Sequence, residues 1–269
     1  MADQASANPT HRSSGSAIFV EERRAEIVRL VAETGKVTVA GLAKRFDVTG
    51  ATIRTDLREL QDEGLVLRTH GGAIRNTKAG REYPFAQREV QNLEAKQAIA
   101  AAAVELVEDG DRLILDTGTT TLELARLLNR KRDLTVVTND LKIAWVLEEM
   151  EAAEVIVLGG PLRRGYHCTL PLPEEGLLDQ LWADKAFMAA NSFTPERGAT
   201  TPDIRQAAAK RAMLSSAGKT ILLCDSSKFE QVSFAQFAAF DQVDTLVTDR
   251  LPDGWAATLE DAGVEVLRP

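Results

Sequence analysis

Two groups of residues could do chemistry by type and spacing. The first is Thr49, Thr52, Arg54, Thr55 and Arg58, followed by "LRTHGGAIR", which holds Arg68, His70 and Arg75. Ile53, Leu57 and Leu60 recur at four and three residues. A helix over 51–63 therefore turns them inward and forces Arg54, Thr55 and Arg58 onto other sectors. Arg54 and Arg58 then stand one turn apart, where like charges cost a helix roughly 0.2 to 0.5 kcal/mol. A polyanion reverses that sign. Thr49 and Thr52 lie where the helix begins, so hydroxyls, backbone N–H groups and the positive dipole end could meet a phosphate or base edge. The competing reading is a solvated face with Arg58 paired to Asp62. Arg68, His70 and Arg75 flank Gly71-Gly72, expected to take the positive φ of a tight hairpin and to let backbone approach a phosphate chain. A packed structural role is the alternative for His70. With His11, His70 and His167 as the only histidines and no Cys-x-x-Cys, no zinc constellation exists.

The second group is "LILDTGTTTLELARLL". A strand ending at Asp116 turns through Gly118 into a helix that opens on Thr119, Thr120 and Thr121, presenting free N–H groups and hydroxyls to an anion. The stretch lacks the Gly-Lys-Thr of a nucleoside-triphosphate loop and is no G-x-G-x-x-G, which argues against ATP and NAD. No cofactor is expected. Other strand ends offer Asn139 with Thr138 and Asp140, the Gly159-Gly160 pair, and Asp225 with Ser226 and Lys228, while Lys210 follows "GATTPD". Ligands of open α/β sheets collect outside the carboxyl ends of strands. Together these residues suit a small phosphorylated polyol, with amides, hydroxyls and lysines for the phosphate and Asp116, Asn139 and Asp225 for sugar hydroxyls.

The elements that must position these groups follow from composition and period. The 269 residues are 44% hydrophobic and 27% charged, an ordinary globular profile with room for two domains. The net charge is −8, yet the first eighty residues hold twelve Lys/Arg against ten Asp/Glu, and the remainder twenty against thirty. A local positive patch is thus compatible with an acidic whole. Two cysteines, Cys168 and Cys224, fit a reducing cytosol without a disulfide framework. No apolar run reaches the roughly 18 residues of a membrane span, and the N-terminal stretch has no signal-peptide core.

Residues 1–18 are polar and Ser/Ala-rich and read as a disordered tail. Residues 19–76 read as helix, helix, helix, hairpin, the order of a winged helix-turn-helix. Residues 77–92 lack a clean period and carry Pro84, so they read as a linker whose Tyr83 and Phe85 dock on a neighbouring surface. Residues 93–269 alternate strand candidates at 112–116, 134–139, 154–160, 185–190, 219–225, 245–249 and 264–267 with helices at 93–108, 120–128, 141–149, 174–181, 203–215 and 255–261. Near-continuous Val/Ile/Leu strands between amphipathic helices predict a mostly parallel, Rossmann-like α/β sheet covered on both faces.

The run "RRAEIVRLVAETGKVTVAGLAKRFDVTGATIRTDLRELQDEGLVLRTHGGAI" resembles the DeoR-type winged helix of bacterial transcription regulators, above all in "TIR-x-DL" and "RTHGGA". "EDGDRLILDTGTTT", "LTVVTND", "VIVLGGPLRR", "ADKAF", "TTPD", "AKRAM" and "CDSSKF" resemble the effector domain of the same family, whose fold is similar to ribose-5-phosphate isomerase. The resemblance implies a phosphate loop at Asp116, Gly118, Thr119 and Thr120 and functional lysines at Lys210 and Lys228. It also implies a cytoplasmic, homodimeric or homotetrameric repressor of a carbohydrate operon that binds double-stranded operator DNA and answers to a phosphorylated sugar. The chain departs from the pattern at Thr55, where a second arginine is usual, in "CTLPLPEE" at 168–175, and at Asn191, where the family carries an acid. An isomerase-like enzyme with an appended reader is the alternative; it would need a base beside the substrate carbon and a group for the enediolate oxygen. Asn191 stands near where that acid is wanted.

Overall fold

The computed structural model describes residues 20–62, 65–75, 82–150, 153–171 and 176–269, and the reading of 1–18 as a tail lies outside them. The chain divides into two compact units between residues 77 and 78.

The first unit runs α1 (Val20–Thr34), β1 (Lys36–Thr38), α2 (Val39–Phe46), α3 (Gly50–Asp62), β2 (Val66–Thr69) and β3 (Gly72–Arg75). Thr38 caps α2 by accepting the Gly41 N–H at 3.1 Å, and Asp47, at φ 52°, closes it with a left-handed residue. Thr49 accepts the Thr52 N–H at 3.1 Å and so caps α3. Ile53, Leu57 and Leu60 are buried against Ile27, Val31 and Leu42 in a small apolar core. A buried ion pair ties α1 to α3: Arg23 Nε donates to Asp56 Oδ2 at 2.7 Å, and Arg24 Nε reaches Oδ1 at 3.2 Å.

Strand β1 is an addition to the expected order, and it completes a three-stranded antiparallel wing, β1-β3-β2. Its presence corrects the reason given for the glycine pair. Neither Gly71 nor Gly72 has a left-handed φ; His70 and Gly71 form the turn. Gly72 pairs with Thr38, and a Cβ there would stand 1.9 Å from the Val37 carbonyl oxygen. Close strand approach, not turn geometry, requires glycine at 72.

The second unit runs α4 (Phe85–Val90), α5 (Leu93–Val104), β4 (Arg112–Leu115), α6 (Thr119–Leu127), β5 (Leu134–Thr138), α7 (Leu141–Glu148), β6 (Ala153–Val157), β7 (Leu162–Arg163), β8 (Cys168–Thr169), β9 (Ala183–Ala189), β10 (Ser192–Thr194), β11 (Gly198–Thr201), α8 (Ile204–Ser215), β12 (Ala217–Leu223), β13 (Ala235–Ala238), β14 (Thr245–Val247), α9 (Trp255–Asp261) and β15 (Glu265–Leu267). All seven anticipated strands form one sheet in the order β15-β14-β12-β9-β4-β5-β6, every pair parallel. Side chains alternate between two apolar layers: Leu113, Leu115 and Phe187 enter one, Ile114, Ala186 and Met188 the other. Both faces are covered, as unbroken apolar strands demand.

Three departures have local causes. Instead of the helix expected at 174–181, a single 3-10 turn spans Leu178–Gln180, preceded by Gly176 at φ 54°, a conformation no helix continues through; residues 172–175 are outside the described set. A three-stranded antiparallel sheet, β10-β11-β13, is inserted after β9. The stretch 82–92, read from sequence as part of a linker, carries α4, and Phe85 is fully buried in the α/β core.

Candidate functional site

On the first unit, α3 presents one polar sector. Arg54, Thr55 and Arg58 are exposed, as are Thr49 at the cap and Arg68 and His70 at the wing, and Thr52 is half-buried. Among the described residues no acidic partner engages Arg54, Arg58 or Arg68. His70 projects from the wing turn, so the packed-histidine alternative does not hold. The side chains of Asp62 and Arg75 lie outside the described set, and with them the proposed Arg58–Asp62 pair. The buried Arg23–Asp56 pair sets the opposite side of α3 against α1. The exposed Arg54 and Arg58 are thereby held on a fixed helix, with no acidic partner among the described residues.

On the second unit, the chain builds β4, β5 and β6 in one direction and then returns to lay β9, β12, β14 and β15 on the other side of β4. The reversal between β4 and β9 is a topological switch point, where an open α/β sheet leaves a crevice outside its strand ends. A polar cleft stands there, lined by Gly118, Thr119 and Thr120 after β4, Ala189, Ala190 and Asn191 after β9, Leu223, Asp225 and Lys228 at the end of β12, and Arg88, Gln91, Asn92 and Lys96 from α4 and α5.

Each wall has a physical cause. Gly118 precedes α6 without a side-chain cap, leaving the first N–H groups of that helix for a ligand. A Cβ on Gly118 would come within 2.7 Å of the Ala189 side chain, so only glycine fits between β4 and β9. Thr119 and Thr120 line the cleft, whereas Thr121 turns inward, its hydroxyl donating to the Gly118 carbonyl at 2.9 Å. Asp225 accepts from Ser227 N–H at 3.2 Å and from the Asn92 amide at 2.9 Å, while its buried Oδ2 has no hydrogen-bond partner. Burial alone would raise the Asp225 carboxyl, but the Lys228 charge and hydrogen bonds from the Ser227 hydroxyl and the Asn92 amide hold it below the ordinary carboxylate range.

Lys96 is buried on α5, its ammonium donating to the Arg88 carbonyl. Burial, with the charge of Lys228 adding to it, lowers its pKa to about 8. Asn191, the departure noted where the family carries an acid, lines the cleft, whereas Lys96, Arg88 and Asn92 are not among the site residues that the sequence suggests. The signal for Lys96 is faint: one lysine in "LEAKQAIAAAAV" reads as the solvated edge of an apolar helix.

Three assigned residues lie beneath the cleft rather than on its wall. The Lys210 ammonium is buried against Asp116 Oδ2 and donates to the Ala189 carbonyl at 2.9 Å, while the Ala189 N–H donates to the same carboxylate at 2.9 Å. Burial pushes the Asp116 carboxyl up against the opposing pull of Lys210. Asn139 donates to the Thr169 carbonyl at 2.8 Å. Thr117 donates to Asp140 at 2.7 Å, and Asp140 caps α7. Lys210 therefore braces the Asp116 loop. Of the Gly159-Gly160 pair, neither lines the cleft, and Gly160 serves packing: a Cβ there would meet the Leu170 carbonyl at 2.3 Å. Cys168 and Cys224 are buried free thiols, and burial pushes the first up to about 11. No group of metal-ligating side chains occurs among the described residues.

A winged helix-turn-helix with exposed arginines, carried with an α/β unit whose cleft is cationic, defines a DNA-binding regulator with a sensor domain. The comparisons with known proteins agree. Residues 23–79 match the DeoR-like helix-turn-helix domain and residues 91–250 the DeoR C terminal sensor domain. The chain is 40% identical over 247 residues to the HTH-type transcriptional regulator GlpR of Haloferax volcanii, covering 91% of this chain and 96% of that one. It is 34% identical to a putative aga operon transcriptional repressor of Escherichia coli O157:H7, over 91% and 93% of the two chains. Among solved structures, a D-ribose-5-phosphate isomerase in complex with phospho-erythronic acid aligns with 51% of this chain and 54% of its own at 20% identity and a TM-score of 0.39, too slight a likeness to bear on function. The chain belongs to the DeoR family of transcriptional regulators, and its relatives are regulators, not enzymes.

Proposed function

We propose that this regulator is a repressor that holds double-stranded operator DNA through α3 and the wing, and that a phosphorylated sugar or similar anionic metabolite, bound in the cleft, changes that grip. The observation that carries the proposal is the company around Gly118: an uncapped helix N-terminus, two hydroxyls, and Arg88, Lys96 and Lys228 drawn together at one switch point. Three cations and free amides suit a phosphoryl group. The unpartnered Asp225 Oδ2 suits a hydroxyl donor beside it. Asp116, Asn139 and Lys210 are assigned to hold the loops that carry these groups.

The repressor sign is supported by the name of the aga operon relative and by that of GlcR of Bacillus subtilis, a transcriptional repressor 33% identical to this chain. The reader spans residues 19–76 in this proposal, and the sensor takes in the stretch from Glu82 as well as 93–269, because Arg88 lines its cleft. A homodimer or homotetramer is part of the same proposal, because helix-turn-helix proteins address two half-sites about one helical turn apart, and the cytoplasm is its proposed setting. Among the described residues no helix is long and apolar enough to cross a membrane.

Calorimetric titration of the full chain with ribose 5-phosphate, glucose 6-phosphate, glycerol 3-phosphate and their unphosphorylated parents tests the cleft. Binding confined to phosphorylated members is the expected result. Equal binding of the parents, or no binding by any ester, would remove the anion assignment.

A further inference from the structure

The cleft shares a residue with the first stretch of the second unit, the part of that unit into which the chain passes on leaving the reader. Arg88 lines the cleft, and its Nη1 lies 3.1 Å from Glu82 Oε1. That contact lacks hydrogen-bond geometry, and the buried Arg88 Nε has no partner either. Glu82, 2% exposed at its side chain, is held on its other oxygen by Arg163 Nη1 at 2.6 Å. Arg163 in turn donates to Gln206 at 3.2 Å and stacks on Tyr166, whose hydroxyl donates to the Glu82 carbonyl at 3.0 Å. Lys96 touches the same residue from inside, through the Arg88 carbonyl. One cation of the cleft, Lys96, thus acts on Arg88, and Arg88 acts on Glu82.

We propose that Glu82 is the coupling residue of the sensor: it retains Arg88 by an imperfect ion pair, and an anion in the cleft takes the guanidinium from it, loosening residues 82–88. The inference rests on the reading of the cleft as an anion site. An oxyanion can accept from Nε and Nη together, satisfying the orphaned donor that Glu82 leaves. Glu82 keeps Arg163 when Arg88 departs, so no buried charge is abandoned, which would otherwise oppose the exchange strongly. Phe85, buried in the core with its N–H on the Gly165 carbonyl at 3.0 Å, anchors the segment from behind. The movement is therefore confined to a short stretch whose amides report on it.

Those amides are Gln87 and Arg88, bonded to the Pro84 carbonyl at 3.2 and 3.1 Å, with the anchored Phe85 amide as the unchanged reference. Hydrogen exchange of the full chain, with and without inorganic phosphate and the same sugar phosphates, reads them directly. A bound ester should accelerate their exchange by about fivefold or more, the lower range of ordinary allosteric coupling. Glu82→Gln should exchange at the fast rate without ester, gain nothing further on adding it, and bind the ester at least as tightly as the natural chain. Arg88→Gln covers the case in which Glu82→Gln fails to fold: it should show the same fast exchange together with weaker ester binding. An ester that binds while these amides are unchanged or slowed would overturn the coupling, as would a Glu82→Gln protein that still accelerates on binding. Absence of binding by phosphate and every ester removes the cleft as an anion site and the coupling with it.

Discussion

At the scale of the residue, charge is the common currency of both sites. Arg54 and Arg58 stand exposed with no acidic partner among the described residues, and like charges so placed gain only from an outside polyanion. Arg58→Ala should weaken DNA binding and lower the slope of log affinity against log salt by about one; anisotropy at three salt concentrations measures both. Lys96 supplies a pH dependence. Its folded-state pKa of about 8 lies below the ordinary 10.5. Over that window the unfolded chain binds the extra proton, so this group's contribution to the stability of the protein rises with pH. Affinity for a phosphate ester runs the other way, falling as the ammonium is lost through pH 8. Titrations from pH 7 to 9.5 should show that fall in the natural chain and a flat, weaker profile in Lys96→Met. The hydroxyls and glycine at 118–120 were legible because a strand end, a turn and a helix start adjoin in the sequence. Lys96 and Arg88 were not, since only the fold brings α4 and α5 to the ends of β4 and β12, and neither spacing nor type reveals that meeting.

At the scale of the element, the strands of the sheet and most of its helices could be read from period and apolar content. What escaped were pieces too short to carry a period: β1 and β13, fixed by pairing with strands more than thirty residues away, and the short β7–β8 and β10–β11 hairpins. The wing illustrates the difference. His70-Gly71 makes the turn, but Gly72 answers to β1, a strand 34 residues earlier at its paired Thr38. Gly72→Ala places a methyl against the Val37 carbonyl and should cost on the order of 1–3 kcal/mol, the usual range for overpacking. Gly71→Ala meets nothing within 4 Å and should leave the unfolding midpoint nearly unchanged. Equal destabilisation by the two would show that the turn, and not the strand approach, selects glycine here.

At the scale of the whole molecule, the modest positive balance of the first eighty residues and the acidic remainder nearly coincide with the two compact units. An acidic protein can bind DNA when the arginines that matter are fixed on one helix and the surplus carboxylates belong to another unit. A metabolite can alter the DNA affinity only by as much as it prefers one state of the protein over another. The most direct measurement is therefore fluorescence anisotropy of the full chain on the promoter fragment upstream of its own gene, at fixed salt, against random duplex and with each sugar phosphate in turn. Tighter binding to the promoter fragment, shifted by at least about fivefold by one or more phosphate esters and not by their parent sugars, is the result expected. Equal affinity for promoter and random duplex, or a preference that no ester moves, would contradict it.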